Sequence, residues 1–134
     1  RQMCIRDSTY IIDYLNRRQG LSLEEAASVI AASFWETIER RDEQTRKKLT
    51  YLRSLYAPLL INGPFSILLG FEGGIMALND RLKLRSMVVA EKSDRFYVAS
   101  EECAIRILEP EPDRIYAPRG GEPVIVTLRE DARV

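Results

Sequence analysis

The sequence predicts an α+β fold, with helices in the first half of the chain and antiparallel strands in the second. Apolar residues recur at helical spacing over residues 23–34, directly after a capping box formed by Ser22 and Glu25. Short apolar segments separated by turn residues follow from residue 65 onward. Helices followed by hairpin-connected strands are typical of the α+β class.

Three helices are expected in the first half. The first ends at Gly20, a residue type that readily adopts the left-handed conformation found at helix ends. The second begins at Ser22, and its apolar stripe runs to Phe34. The third is expected over residues 43–56. Basic residues over 40–48 are interleaved with acids, which indicates a solvated helix face rather than a phosphate-binding patch.

The second half predicts five strands and one short helix: strands over residues 65–71, 75–78, 85–91, 95–100 and 123–128, and a helix over residues 101–108. The first of these strands is apolar on both faces, which predicts burial between two layers. The turns of the two hairpins are expected at residues 72–74 and 92–94. Ser100 is placed to cap the short helix, and three prolines over residues 110–118 indicate a loop.

Composition narrows the function classes. The 134 residues are 46% hydrophobic, enough for a core, and 20 basic residues balance 20 acidic ones. This balance gives no case for nucleic acid or an anionic membrane as the partner, and no apolar run is long enough for a transmembrane helix. The chain has no histidine, so it cannot supply a histidine-dependent catalytic triad or a typical zinc site. We therefore expect no metal, no membrane and no nucleic acid, and a cytoplasmic location.

The first eight residues, RQMCIRDS, resemble an in-frame translation of an adapter used to prepare sequencing libraries. We expect residues 1–8 to be an adapter-derived scar, residues 9–128 to be part of a domain, and residues 129–134 to be a polar tail. Asp7 belongs to this string, so we assign it no functional role. Cys103 is then the one remaining cysteine, and its place beside Ala104 on an apolar helix face predicts a buried structural thiol.

The segment between the two hairpins, Asp80-Arg81-Leu82-Lys83-Leu84-Arg85, is the sharpest local feature. Asp80 and Arg85 are expected to form an ion pair that braces the connection. Ser100 and Glu101 are expected to start the short helix rather than to act as a catalytic pair, because no base is available to activate the serine.

An ordered set of short motifs resembles the later part of class II glutamine amidotransferase domains, whose nucleophile is the mature N-terminal residue. Asp80, Arg81 and Arg85 match the family's Asp-Arg-x-x-x-Arg-Pro pattern, although Ser86 replaces the proline. The matching segments follow the family's order within a region that spans about half the chain: residues 63–67, 80–85, 97–101, 115–118 and 121–124. The flank GLSLEEA over residues 20–26 is most similar to the glutamate-synthase branch, particularly its stand-alone glutaminase subunits.

This resemblance implies the C-terminal half of an αββα four-layer sandwich, the N-terminal-nucleophile hydrolase fold, with this chain's helices on one side of the sheet. It implies a parent protein that hydrolyses glutamine and delivers ammonia to a synthase subunit or domain, which would carry the FMN and iron–sulfur clusters. This chain would hold no cofactor, no catalytic residue and no assigned substrate-binding residue, so we expect it to be inactive alone. Asp80, Arg81, Arg85, Ser100 and Glu101 would support the scaffold.

The family's oxyanion hole uses an Asn-Gly pair that precedes the helices. Asn62-Gly63 follows them, so we expect a turn there. The alternative function, from a different class, is a non-catalytic α+β binding or regulatory module that uses an open sheet face for a protein partner.

Overall fold

The computed structural model describes residues 5–128 and confirms the α+β class. The chain divides into a helical unit, which ends at Asn62, and a β-rich unit, which starts at Gly63. Residues 1–4 of the predicted scar and the whole predicted tail, residues 129–134, lie outside the described residues. No helix in the described range is both long and apolar enough to cross a membrane.

From residue 5 onward, the helical unit contains four α-helices and two short irregular helical segments. These are α1 (Ile5–Asp13), which continues as a π-helical segment (Tyr14–Arg18), α2 (Leu23–Ile30), α3 (Trp35–Glu39), α4 (Glu43–Leu55) and a 3-10 turn (Ala57–Leu59). The first helical stretch ends where Gly20 adopts a φ of +69°, as predicted. The core of the unit includes Leu15, Ala26, Ala27 and Ile30, each fully buried.

The capping box at Ser22 is confirmed. The Glu25 amide donates to the Ser22 hydroxyl at 3.2 Å, and the Ser22 amide donates to the Glu25 carboxylate at 2.7 Å. The predicted stripe is wrong at its last position, because α2 ends at Ile30 and Phe34 is 44% exposed. The sequence did not predict α3, which starts directly after Phe34 without a side-chain cap.

Up to residue 128, the β-rich unit contains two three-stranded antiparallel sheets and one helix. The elements are β1 (Ser66–Phe71), β2 (Gly74–Asn79), β3 (Val88–Lys92), β4 (Arg95–Ala99), α5 (Glu102–Leu108), β5 (Arg114–Tyr116) and β6 (Val124–Thr127). One sheet has the order β1-β2-β6 and the other β4-β3-β5. Both predicted hairpins are confirmed, with closing pairs Phe71↔Gly74 and Lys92↔Arg95.

The prediction that the first strand is buried on both faces is wrong. β1 alternates between exposed and half-buried residues, and Leu68 is 59% exposed. The strand next to it, β2, is the buried one, with Met76 and Leu78 completely inaccessible. The sheet order explains the difference, because β2 lies between two neighbours whereas β1 is an edge strand. β5 lies inside the proline-rich region that the prolines indicated to be a loop.

Candidate functional site

The connection between β2 and β3, which we call the Asp80 loop (residues 79–86), is built around a buried carboxylate. Asp80 is 2% exposed. Its Oδ1 accepts the backbone N–H groups of Leu82 at 3.1 Å and Leu84 at 3.0 Å, and its Oδ2 accepts that of Arg85 at 3.1 Å. One aspartate therefore satisfies three backbone donors and folds the loop around itself.

The expected ion pair between Asp80 and Arg85 is not present in the described part of the chain. Arg85 reaches Asp80 through its main-chain amide, and its side chain is exposed. The backbone supplies enough donors for both carboxylate oxygens, so the guanidinium is not needed to neutralise a buried charge. Arg81 is half-buried. The sequence placed these three residues correctly in one turn but assigned the wrong donor to the carboxylate.

The environment of Asp80 favours its charged form. Burial of the Asp80 carboxyl disfavours the anion, but the amide hydrogen bonds outweigh this effect. The pKa of Asp80 therefore lies below its ordinary value of 3.8. A carboxylate that is buried, fully hydrogen-bonded and weakly basic is poorly suited to proton abstraction. Its chemistry is that of a structural anion.

The connection between β5 and β6 packs closely against the Asp80 loop. A Cβ atom at Gly120 would lie 2.5 Å from the carbonyl oxygen of Arg81 and 3.1 Å from that of Asp80, so only glycine fits there. The neighbouring Gly121 amide donates to the Asn79 carbonyl oxygen at 3.3 Å. Sequence reasoning did not assign Gly120 to the site, although the adjacent pair Gly120-Gly121 is a signal for close backbone approach.

Asn79, also missed as a site residue, closes the base of the loop. It is completely buried, and its Nδ2 donates to the Arg85 carbonyl oxygen at 3.3 Å. Its Oδ1 has no hydrogen-bond partner within the described residues. Two adjacent buried polar side chains, Asn79 and Asp80, thus hold both ends of one loop.

Ser100 and Glu101 lie at the same end of the second sheet as the Asp80 loop, because Val88 at the start of β3 pairs with Ala99 at the end of β4. The prediction that Ser100 caps the short helix is wrong. Glu101, not Ser100, is the N-cap residue of α5, and it makes no side-chain cap hydrogen bond. Both side chains are exposed, so water can satisfy the first amides of the helix.

Cys103 is exposed, which corrects the prediction of a buried thiol. Its Sγ donates to Glu101 Oε2 at 3.3 Å. The buried face of this short helix is formed by Ile105, which is 2% exposed, whereas Ile107 is 82% exposed. The helix is too short for apolar spacing alone to identify its inner face.

The helical unit contains an open apolar groove of about 520 Å³. It is lined by Tyr10, Ile11, Tyr14, Gln19, Leu55, Tyr56, Pro58 and Leu59. Its polar groups are tyrosine hydroxyls and one amide, with no carboxylate or amine for acid–base work. No three His, Cys, Asp or Glu side chains cluster as metal ligands anywhere within residues 5–128.

No protein-family model and no solved structure matches the chain. The chain is similar to a protein of Archaeoglobus fulgidus that is described as an uncharacterized protein. The two are 44% identical over 120 residues, which is 90% of this chain and 32% of the relative. This chain thus spans about a third of the length of the relative it matches.

Proposed function

We propose that this chain is the C-terminal part of a class II glutamine amidotransferase domain of the glutamate-synthase type. The observation that carries the proposal is the Asp80 loop, which lies between two antiparallel hairpins and holds the residues that match the family's Asp-Arg-x-x-x-Arg pattern. Helices precede this arrangement, and a short helix and two strands follow it. The match to a relative about three times longer is compatible with a part of a larger protein.

In this proposal the fold is an αββα sandwich of which the two three-stranded sheets are portions. The parent protein hydrolyses the side-chain amide of glutamine. An N-terminal cysteine thiolate attacks the amide carbon, ammonia leaves, and water then hydrolyses the thioester to release glutamate. A synthase subunit or domain, which carries FMN and iron–sulfur clusters, receives the ammonia.

In this proposal the residues of this chain have structural roles and do not take part in the reaction. Asp80 and Asn79 hold the loop between the hairpins, and Gly120 allows the β5–β6 connection to pack on it. The Ser100 side chain is exposed, and the chain has no histidine that could act as its base. We therefore expect no ammonia release from glutamine by this chain alone. Activity that is abolished by Cys103→Ala would contradict this expectation.

The full-length Archaeoglobus fulgidus relative provides the direct test. We expect glutamine-dependent release of glutamate and ammonia, and covalent labelling of an N-terminal cysteine by an electrophilic glutamine analogue, located by peptide mass spectrometry. Replacement of that cysteine by alanine should abolish both signals. A relative that neither hydrolyses glutamine nor reacts with the analogue would refute the proposal.

A non-catalytic binding module is the second candidate, and exposed apolar side chains favour it. Leu82 and Leu84 in the Asp80 loop are 56% and 58% exposed, and Leu108 at the end of α5 is 73% exposed. Surfaces of this kind occur at protein–protein contacts. Glutaminase activity in the relative would exclude a purely non-catalytic role for its family, whereas binding to a protein partner without any glutamine hydrolysis would favour it.

A further inference from the structure

Two exposed surfaces of the β-rich unit have opposite charge and similar apolar content. The first is the outer side of the Asp80 loop, residues 82–85, with sequence LKLR. The second, which we call the acidic segment, is residues 107–111, with sequence ILEPE. Each combines two exposed aliphatic side chains with two charges of one sign.

The outer side of the Asp80 loop is supported by backbone hydrogen bonds within the loop. Asp80 takes up the amides of Leu82, Leu84 and Arg85, and the Lys83 amide donates to the Asp80 carbonyl oxygen at 2.9 Å. The four side chains over residues 82–85 are all exposed. Neither Lys83 nor Arg85 forms an ion pair in the part of the chain that the structure describes. A preformed surface of this kind loses little conformational entropy on binding.

The acidic segment begins at the end of α5. Ile107 is 82% exposed and Leu108 is 73% exposed. Within the described residues, Glu109 and Glu111 form no ion pair, whereas the nearby Asp113 pairs with Lys92 at 2.9 Å. The pKa of Lys92 is raised by its hydrogen bond to Asp113 and, in addition, by the charges of Glu109 and Glu111, so the two carboxylates interact with this lysine only from a distance.

The sheet β4-β3-β5 separates the two surfaces. The Asp80 loop leads into Val88, at the first end of β3, whereas the Asp113 amide donates to Glu91 near the other end at 2.9 Å. Five residues of strand span about 14 Å. The acidic segment immediately precedes Asp113, so the two surfaces lie at opposite ends of one sheet. Neither surface covers the other, and each can contact a second molecule.

We propose that the outer side of the Asp80 loop of one copy of this chain docks on the acidic segment of a second copy. The leucines pack on Ile107 and Leu108, and Lys83 and Arg85 face Glu109 and Glu111. Each copy carries both surfaces, so one contact can be repeated reciprocally. The chain has a formal net charge of zero, so no overall repulsion opposes the approach of two copies. This inference does not rest on the proposed glutaminase function.

The test is a charge exchange between two variants of the full chain. Variant one carries Lys83→Glu and Arg85→Glu, and variant two carries Glu109→Lys and Glu111→Lys. Each alone places like charges at the contact and should weaken self-association by at least about tenfold in sedimentation equilibrium. An equimolar mixture should restore it, because both contacts then join opposite charges. Self-association of the wild-type chain should weaken as salt is added.

A matched control reverses two exposed basic residues of the helical unit, Arg41→Glu and Arg46→Glu. It changes the net charge as much as variant one does and should leave self-association within about twofold of wild type, as expected for charges outside an interface. Circular dichroism and thermal melting check that all variants fold. Each of three results would overturn the proposal: a monomeric wild-type chain, a mixture of the two variants that stays dissociated, or self-association that persists in both variants. None of these results bears on glutamine hydrolysis by the relative.

Discussion

The Asp80 loop and the start of α5 lie at the same end of one sheet, and both begin with short polar side chains, but their hydrogen bonding differs. In the loop, one buried carboxylate accepts three backbone amides. At the start of α5, Ser100 and Glu101 are exposed, and Glu101, the N-cap residue, makes no cap hydrogen bond. Where water is excluded, a backbone donor needs a protein acceptor; where water has access, it does not. The loss of a buried polar acceptor is therefore expected to cost more stability than the loss of an exposed one.

The strongest test of this difference is Asp80→Ala. It removes the buried acceptor of three backbone amides, and we expect the free energy of unfolding to fall by about 3 kcal/mol or more. Chemical denaturation followed by circular dichroism measures the change. Ser100→Ala is the matched control at the exposed end of the sheet and should stay within about 0.5 kcal/mol of wild type. Equal losses from the two substitutions would contradict the comparison.

The charge of Asp80 predicts a pH dependence. Its pKa is lowered in the folded chain, so its stabilising effect is complete above the ordinary pKa of 3.8 and is lost as the pH falls through the lower folded value. Below pH 3.8 the free energy of unfolding should therefore fall more steeply for wild type than for Asp80→Asn. The other carboxyl groups titrate in both proteins, so the comparison isolates Asp80. Parallel pH curves would show that the carboxylate is not stabilised in the fold.

The close approach of Gly120 to the Asp80 loop supplies the next test. Gly120→Ala puts a methyl group 2.5 Å from a backbone oxygen that cannot rotate away. We expect a loss of about 1–3 kcal/mol, as for overpacking. Gly70→Ala in β1 is the control, because a Cβ there meets nothing within 4 Å. It should be neutral or should stabilise by up to about 1 kcal/mol. Thermal melts that rank the two variants in the opposite order would contradict the packing.

The sequence predicted what local chemistry determines. The capping box at Ser22 and both hairpins depend on residues a few positions apart, and they were found. Exposure of Leu68 depends on which strand lies in the middle of the sheet, and the fit of Gly120 depends on a contact between residues far apart in the chain. For Asp80, the sequence predicted a role in bracing the turn but named the Arg85 side chain as its partner. The actual partners are backbone amides, and their positions depend on how the loop folds.

The smallest expected effect compares two helix starts of different chemistry. At α2, the Ser22 hydroxyl accepts the Glu25 amide at 3.2 Å, whereas α5 starts without a side-chain cap. Ser22→Ala should cost about 1 kcal/mol, as is usual for the loss of an N-cap. Glu101→Ser places a capping residue at the N-cap of α5 and should stabilise the chain by up to about 1 kcal/mol, because it supplies the missing acceptor. A loss of stability in this variant would mean that the carboxylate of Glu101, which accepts the Cys103 thiol, contributes more than a cap would.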